Sequence, residues 1–172
     1  MAAARSRSRP TNLRRALVIA LVVLAIDQAT KLLVVEVLGL RTRLVIPVLD
    51  PWLNLTMAWN EGINFGLFDF GSAGRWVLVG LAVAIVAGLL WWVRGTRGWL
   101  PALGTGAIVG GALGNVIDRL RYGAVADFLN TSCCGIANPF AFNVADAAIF
   151  AGAVLLLLGG RSTPPAPGRR AR

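Results

Sequence analysis

The chain has 172 residues, enough for one compact domain. Hydrophobic types make up 56%, charged types only 15%, and the mean hydropathy is +0.68. Average globular chains carry about 25% charged residues, so too few are present to cover a water-facing surface, and disorder is excluded except at the ends. Histidine is absent, which removes Ser-His-Asp triads, Cys-His pairs, HExxH zinc sites and haem ligation by histidine. Two adjacent cysteines, Cys133 and Cys134, build neither a disulfide framework nor a four-ligand zinc site. The composition is that of a small integral membrane protein.

Four helical spans are expected in a single membrane domain over 1–172, with a body at 16–160. The first follows a basic segment (1–15) and runs from about Ala16 to Leu38, interrupted by Asp27, Lys31 and Glu36. No small-x-small cleavage site follows its apolar centre, so it reads as a retained span and not as a signal peptide. Trp76 to Val93 is 18 residues without a charge, and Trp99 to Ile117 is 19. Each is close to the roughly 20 residues a helix needs to cross the hydrocarbon layer. The fourth runs from about Phe142 to Gly160 with one charge, Asp146. Between the first two spans, residues 39–75 form an outer segment. Alternation in Arg41-Thr-Arg-Leu-Val-Ile and Trp52-Leu-Asn-Leu-Thr-Met predicts short strands there. A second outer segment covers 118–141, and the Pro- and Arg-rich tail 161–172 reads as disordered.

Charge orients the bundle. Arg5, Arg7, Arg9, Arg14, Arg15, Arg94, Arg97, Arg161, Arg169, Arg170 and Arg172 put 11 of the 17 basic residues on one side, and all eight carboxylates lie in the spans or on the other. The positive-inside rule then places both termini and the 94–98 loop in the cytoplasm. The net charge of +9 is mostly this signal. It does not describe a nucleic-acid patch, because the arginines are split between separate juxtamembrane segments.

Ionisable groups at membrane depth are costly and usually functional. With this topology Asp27 and Lys31 fall in the outer half of the first helix, as i,i+4 neighbours that can pair. The third helix delivers Asn115, Asp118 and Arg119 to its outer end, and the fourth begins there with Asn143 and Asp146. Asp127 lies in the connection between them. Four carboxylates from distant parts of the sequence therefore converge at one depth. Without histidine, paired carboxylates are the best remaining acid/base machinery. Two aspartates in a low-dielectric site share a proton: the ionised one activates water, and the neutral one polarises a carbonyl. Bland roles compete. Asp27 with Lys31 is most simply a structural ion pair, Asp118 beside Arg119 can serve only to orient a helix end, and a proton or cation relay would also use such residues. Asp118 and Asp127 remain equal candidates for the partner of Asp146. The alternative class is a small proton-coupled transporter or channel subunit, which needs polar groups along a path through the bilayer. Here they crowd one end.

The glycines of Gly106-xxx-Gly110 and Gly110-xxx-Gly114 lie inside an apolar span, where close helix packing explains them better than a dinucleotide loop. Trp91, Trp92 and Trp99 fit an interfacial belt. Cys133 and Cys134 read as small loop residues.

Four blocks resemble the lipoprotein signal peptidase (signal peptidase II) family, and they occur in that family's order. They are Asp27-Gln-Ala-Thr-Lys31, Asn60-Glu-Gly-Ile-Asn-Phe-Gly66, Gly110-Gly-Ala-Leu-Gly-Asn-Val-Ile-Asp-Arg119 continuing into Gly123-Ala-Val-Ala-Asp-Phe128, and Phe142-Asn-Val-Ala-Asp-Ala-Ala-Ile149. Asn64 stands where many members carry a small apolar residue. The resemblance implies a bacterial inner-membrane aspartic endopeptidase with Asp127 and Asp146 as catalytic residues. Asp27, Lys31, Asn60, Gly62, Asn115, Asp118, Arg119 and Asn143 match positions that shape or support that site. The implied substrate is a diacylglyceryl-modified prolipoprotein, cut just before its lipidated cysteine, with the bound lipid among the helices. Sensitivity to globomycin, no cofactor and no metal are implied as well.

Overall fold

The structure is a computed structural model, and it describes residues 12–62, 72–133 and 138–159. Helix α1 spans Asn12–Lys31 and continues as a π-helical turn over Leu32–Val37; a short helix α2 covers Leu40–Arg43. Strands β1 (Val45–Leu49) and β2 (Leu53–Asn60) follow, then the long helices α3 (Ser72–Val93) and α4 (Trp99–Tyr122). Strand β3 (Val125–Thr131) and helix α5 (Val144–Gly159) complete the described elements.

Helix α4 is the hub, and its glycines make it so. A Cβ at Gly106 would lie 2.8 Å from the Ala16 carbonyl oxygen of α1, and one at Gly110 would lie 2.6 Å from that of Ala20. On another face, a Cβ at Gly104 would lie 2.8 Å from the Gly152 carbonyl of α5. Backbones can come this close only where there is no side chain. The contacts also fix direction: α4 runs parallel to α1 and antiparallel to α5. Elsewhere the bundle is sealed by Ala20, Val86, Val109 and Ala112. Outward-facing residues such as Val77, Leu81, Phe150 and Leu157 are exposed, the pattern of helices whose solvent is lipid.

Three described helical stretches are long and apolar enough to cross a membrane, Asn12–Val37, Ala73–Val93 and Trp99–Tyr122. Helix α5 has 16 described residues, about 24 Å of helix. It is shorter than the expected fourth span, because Phe142 and Asn143 precede the helix and Gly160 lies outside the described residues.

The strand content also differs from expectation. Residues Arg41–Arg43 are helical, bracketed by positive φ at Gly39 (68°) and Leu44 (64°), and Thr42 Oγ1 donates to the Gly39 carbonyl at 3.0 Å. The sheet, of order β1-β2-β3 and antiparallel throughout, takes its third strand from the connection between α4 and α5 and not only from the segment between the first two long helices. It packs against the π-helical turn, with Val34, Val35, Leu40, Leu55, Ala126 and Phe128 buried in one cluster. Between Leu55 and Ala58 the β2–β3 register slips by one residue. That bulge shifts parity along β2, so Ala58 and Asn60, not Met57 and Trp59, share the face of Asp127.

Candidate functional site

All ten residues singled out in the sequence lie in one connected polar network where the ends of α1 and α4, the start of α5 and the sheet meet. Its deepest part is ionic. Lys31 Nζ lies 2.9 Å from Asp27 Oδ2 and 2.7 Å from Asp118 Oδ2, and donates to Asn115 Oδ1 at 3.5 Å. Asp27 is wholly buried, with Lys31 at 4% and Asp118 at 1% exposure. Gln28, which the sequence reading did not single out, bridges the pair by donating to Asp27 Oδ2 at 3.1 Å and Asp118 Oδ1 at 3.3 Å. An amide inside an apolar span was the signal available for it. Gly114, which its spacing assigns to helix packing alone, also borders the cluster. A side chain there would run into the Asp27 carboxylate.

Asp118 therefore pairs with Lys31 and not with its neighbour Arg119. Consecutive helical residues project to different faces, and Arg119 Nη1 turns back to donate to the Asn115 carbonyl at 3.4 Å. Its Nε is buried without a hydrogen-bond partner.

Each carboxylate of the ionic cluster also holds a backbone amide. Ala126 N–H donates to Asp118 Oδ2 at 3.1 Å, and Ala145 N–H donates to Asp27 Oδ1 at 3.0 Å. Those are the residues directly before Asp127 and Asp146. One lysine thus ties together two clamps, and each clamp fixes the backbone beside one of the remaining aspartates.

Asp127 and Asp146 are joined through Asn143. Its Nδ2 donates to Asp127 Oδ1 at 2.7 Å and to the Ala126 carbonyl and Asn115 Oδ1 at 3.3 Å each. Asn143 also starts α5 in a reciprocal capping arrangement. Its Oδ1 accepts from Asp146 N–H at 2.9 Å, and Asp146 Oδ2 accepts from Asn143 N–H at 3.3 Å, which satisfies two otherwise orphaned donors. Asn115 Nδ2 holds the other Asp146 oxygen at 2.8 Å. From the sheet side, Asn60 Nδ2 donates to Asp127 Oδ2 at 3.1 Å, while its Oδ1 accepts from Gly62 N–H at 3.1 Å. Gly62 has φ of 109°, and a Cβ there would collide with the Leu78 side chain of α3. Burial, and after it the charge of Asp146, pushes the Asp127 carboxyl up to about 7, against the pull of the Asn60 and Asn143 hydrogen bonds and of Lys31. Burial falls off outward, from Asp27 and Asn143 to half-buried Asp146 and exposed Asn60, so the site opens at the end of the bundle. Asn64 and Phe65 lie outside the described residues. Among the described residues, no group of three or more His, Cys, Asp or Glu is disposed to hold a metal ion.

The signal peptidase (SPase) II family model matches residues 19–160. The chain belongs to the signal peptidase II family. A lipoprotein signal peptidase of Methylorubrum extorquens (strain PA1) is 45% identical over 162 residues, covering 91% of this chain and 92% of that protein. One of Caulobacter vibrioides is 43% identical over 141 residues, covering 81% and 82%. Among solved structures, a bacterial membrane enzyme determined by the in meso method at 1.9 Å superposes with a TM-score of 0.72 at 24% identity, over 87% of this chain and 94% of that one. This likeness concerns the fold alone. Membership of the signal peptidase II family leaves the transporter reading of the same aspartates without support.

Proposed function

We propose that this signal peptidase II family member is an aspartic endopeptidase that removes signal peptides from diacylglyceryl-modified prolipoproteins, cutting just before the lipidated cysteine. Asp127 and Asp146 are the catalytic pair. The observation that carries the reading is the shared Asn143, which holds Asp127 through its side chain and Asp146 through a reciprocal cap. At neutral pH one carboxylate of the pair is ionised and takes a proton from water, while the other is protonated and polarises the scissile carbonyl. The proton on that second carboxyl then passes to the leaving amine. Arg119, with a donor left over, supports the site. The ionic cluster of Asp27, Lys31 and Asp118 supports the site and takes no part in proton transfer. Cleavage of a purified diacylglyceryl-modified substrate, followed by gel shift with and without globomycin and EDTA, tests the reading. Globomycin is expected to stop the reaction and EDTA to leave it unchanged.

The proposed setting is a bacterial inner membrane, with four spans, cytoplasmic termini and the site near the outer face. Support comes from the helix directions: the start of α1, the end of α3, the start of α4 and the end of α5 share one end of the bundle. Arg14, Arg15, Arg94 and Arg97 sit at that end. Reporter fusions at Arg97 and after Arg161 are expected to behave as cytoplasmic, and a fusion near Cys134 as external. An external signal at Arg97 would reverse the orientation.

Asn60 is proposed to hold substrate as well as Asp127. It is exposed at the end of β2 beside the site, and a side-chain amide can pair with an extended peptide backbone. Asn60→Ala is expected to lower turnover without unfolding the protein, because only one of the two hydrogen bonds to Asp127 is lost. Wild-type kinetics in that variant would remove this role.

A further inference from the structure

The bundle end remote from the carboxylates holds a cavity of about 530 Å³, within the usual range of small-ligand sites. Its walls are Trp92 from the last turn of α3, Trp99, Leu100 and Pro101 from the first turn of α4, and Leu156 from α5, with Arg97 of the intervening loop beside them. Trp99 and Asp118 are 19 residues apart on α4, about 28 Å along the helix. The cavity therefore sits one hydrocarbon thickness from the aspartates, at the opposite membrane interface.

A second guanidinium reaches this place. Arg15 of α1 stacks over the Trp99 ring, 4.5 Å from its centroid. The loop is fastened in position: Asn12 Nδ2 donates to Thr96 Oγ1 at 3.0 Å, and Thr96 Oγ1 donates to the Val93 carbonyl at 2.8 Å. None of the lining residues is acidic, and all eight carboxylates of the chain lie at or beyond Asp27 in α1 and outside the stretch 70–117. The walls thus combine apolar surface, two tryptophans and Arg97, with Arg15 stacked on Trp99 as a second cation beside them, at the level where lipid phosphates lie.

We infer that this cavity holds the head group of an anionic phospholipid, its phosphate facing Arg97 and Arg15 and its first acyl carbons against Trp92, Leu100 and Leu156. Charge complementarity selects this occupant: the trimethylammonium group of a zwitterionic head would face the same two cations. Basic pockets between membrane helices are a recognised setting for anionic head groups. The lipid would bind whether or not Asp127 and Asp146 are catalytic.

The test uses the full chain in detergent, titrated with phosphatidylglycerol, phosphatidylcholine or inorganic phosphate and followed by native mass spectrometry and thermal shift. Phosphatidylglycerol is expected to bind at least tenfold tighter than phosphatidylcholine. Arg97→Gln should weaken it about fivefold, and adding Arg15→Gln by about as much again. Leu156→Trp, which fills the cavity without touching charge, should abolish the preference, and Asn60→Ala at the far end should leave it intact. Equal affinity for the two lipids overturns the assignment. So does an unchanged preference in folded Arg97→Gln and Leu156→Trp variants. Competition by inorganic phosphate alone at the same strength would make this a free-anion site and overturn the lipid.

Discussion

Asp127→Asn and Asp146→Asn are each expected to lower turnover by about 10²–10⁴-fold, the usual contribution of one general acid/base group. Both substitutions keep the size of the side chain and much of its hydrogen bonding, so each variant should fold. Members of one catalytic unit are not additive, and the double variant should be scarcely slower than either single one. The pair should also be visible in pH dependence. The carboxyl of Asp127 is pushed up to about 7, above its unfolded value, so the folded state holds a proton that the unfolded chain has released. Stability from this group is fully present below the ordinary carboxylate range and falls as pH rises toward 7. Asp127→Asn removes that loss, and its thermal stability should gain on wild type between pH 5 and pH 8. Turnover in wild type should decline above about pH 7, where the proton held by Asp127 leaves. The measurement is cleavage by purified variants, each checked for folding in detergent. Near-normal turnover in Asp127→Asn, with a folded Asp118→Asn inactive, would transfer the role to Asp118.

Geometry separates Asp118 from Asp127 in a way the sequence does not. Both carboxylates fall near the same end of the third long helix, and depth alone treats them alike. What distinguishes them is the company each keeps: Asp118 lies against Lys31, while Asp127 faces Asn143 and Asn60. The polar residues themselves were legible, because a charge or amide in an apolar run stands out whatever the fold. The Asp27–Lys31 spacing also predicts its own pairing. The partner of Asp118 was not legible, since adjacency to Arg119 in sequence says little about which helix face meets which neighbour. Strand β3 was hidden for a related reason. Val125-Ala-Asp-Phe is too short and too buried to alternate, and its pairing with β2 is long-range. The bulge that turns Asn60 toward Asp127 leaves no mark in periodicity at all. The short helix at Arg41–Arg43 went unread because residue alternation suits a strand, whereas the positive φ values at Gly39 and Leu44 decide the local path.

Lys31→Met is expected to cost about 3–5 kcal/mol of stability, the range for removing one partner from a buried ion pair. Here the loss falls on two carboxylates, because Asp27 and Asp118 share the same ammonium at 2.9 and 2.7 Å. Neither has water to turn to at 0% and 1% exposure. A buried charge costs most when its partner is missing, which sets up a test that a purely steric role would fail. In Lys31→Met the two carboxylates face each other unscreened, so neutralising one should help. Lys31→Met with Asp118→Asn is therefore expected to be more stable than Lys31→Met alone, although Asp118→Asn by itself destabilises. Thermal unfolding of the four proteins in one detergent gives the coupling directly. Additive losses would mean that Lys31 contributes packing and not charge. The same cluster is expected to connect stability to turnover, because Asp118 and Asp27 hold the amides of Ala126 and Ala145. When the lysine is gone, both clamps loosen, and Asp127 and Asp146 lose register with each other. The folded fraction of Lys31→Met should accordingly show reduced turnover even after correction for its lower stability. Normal turnover per folded molecule would confine the cluster to holding the helices together.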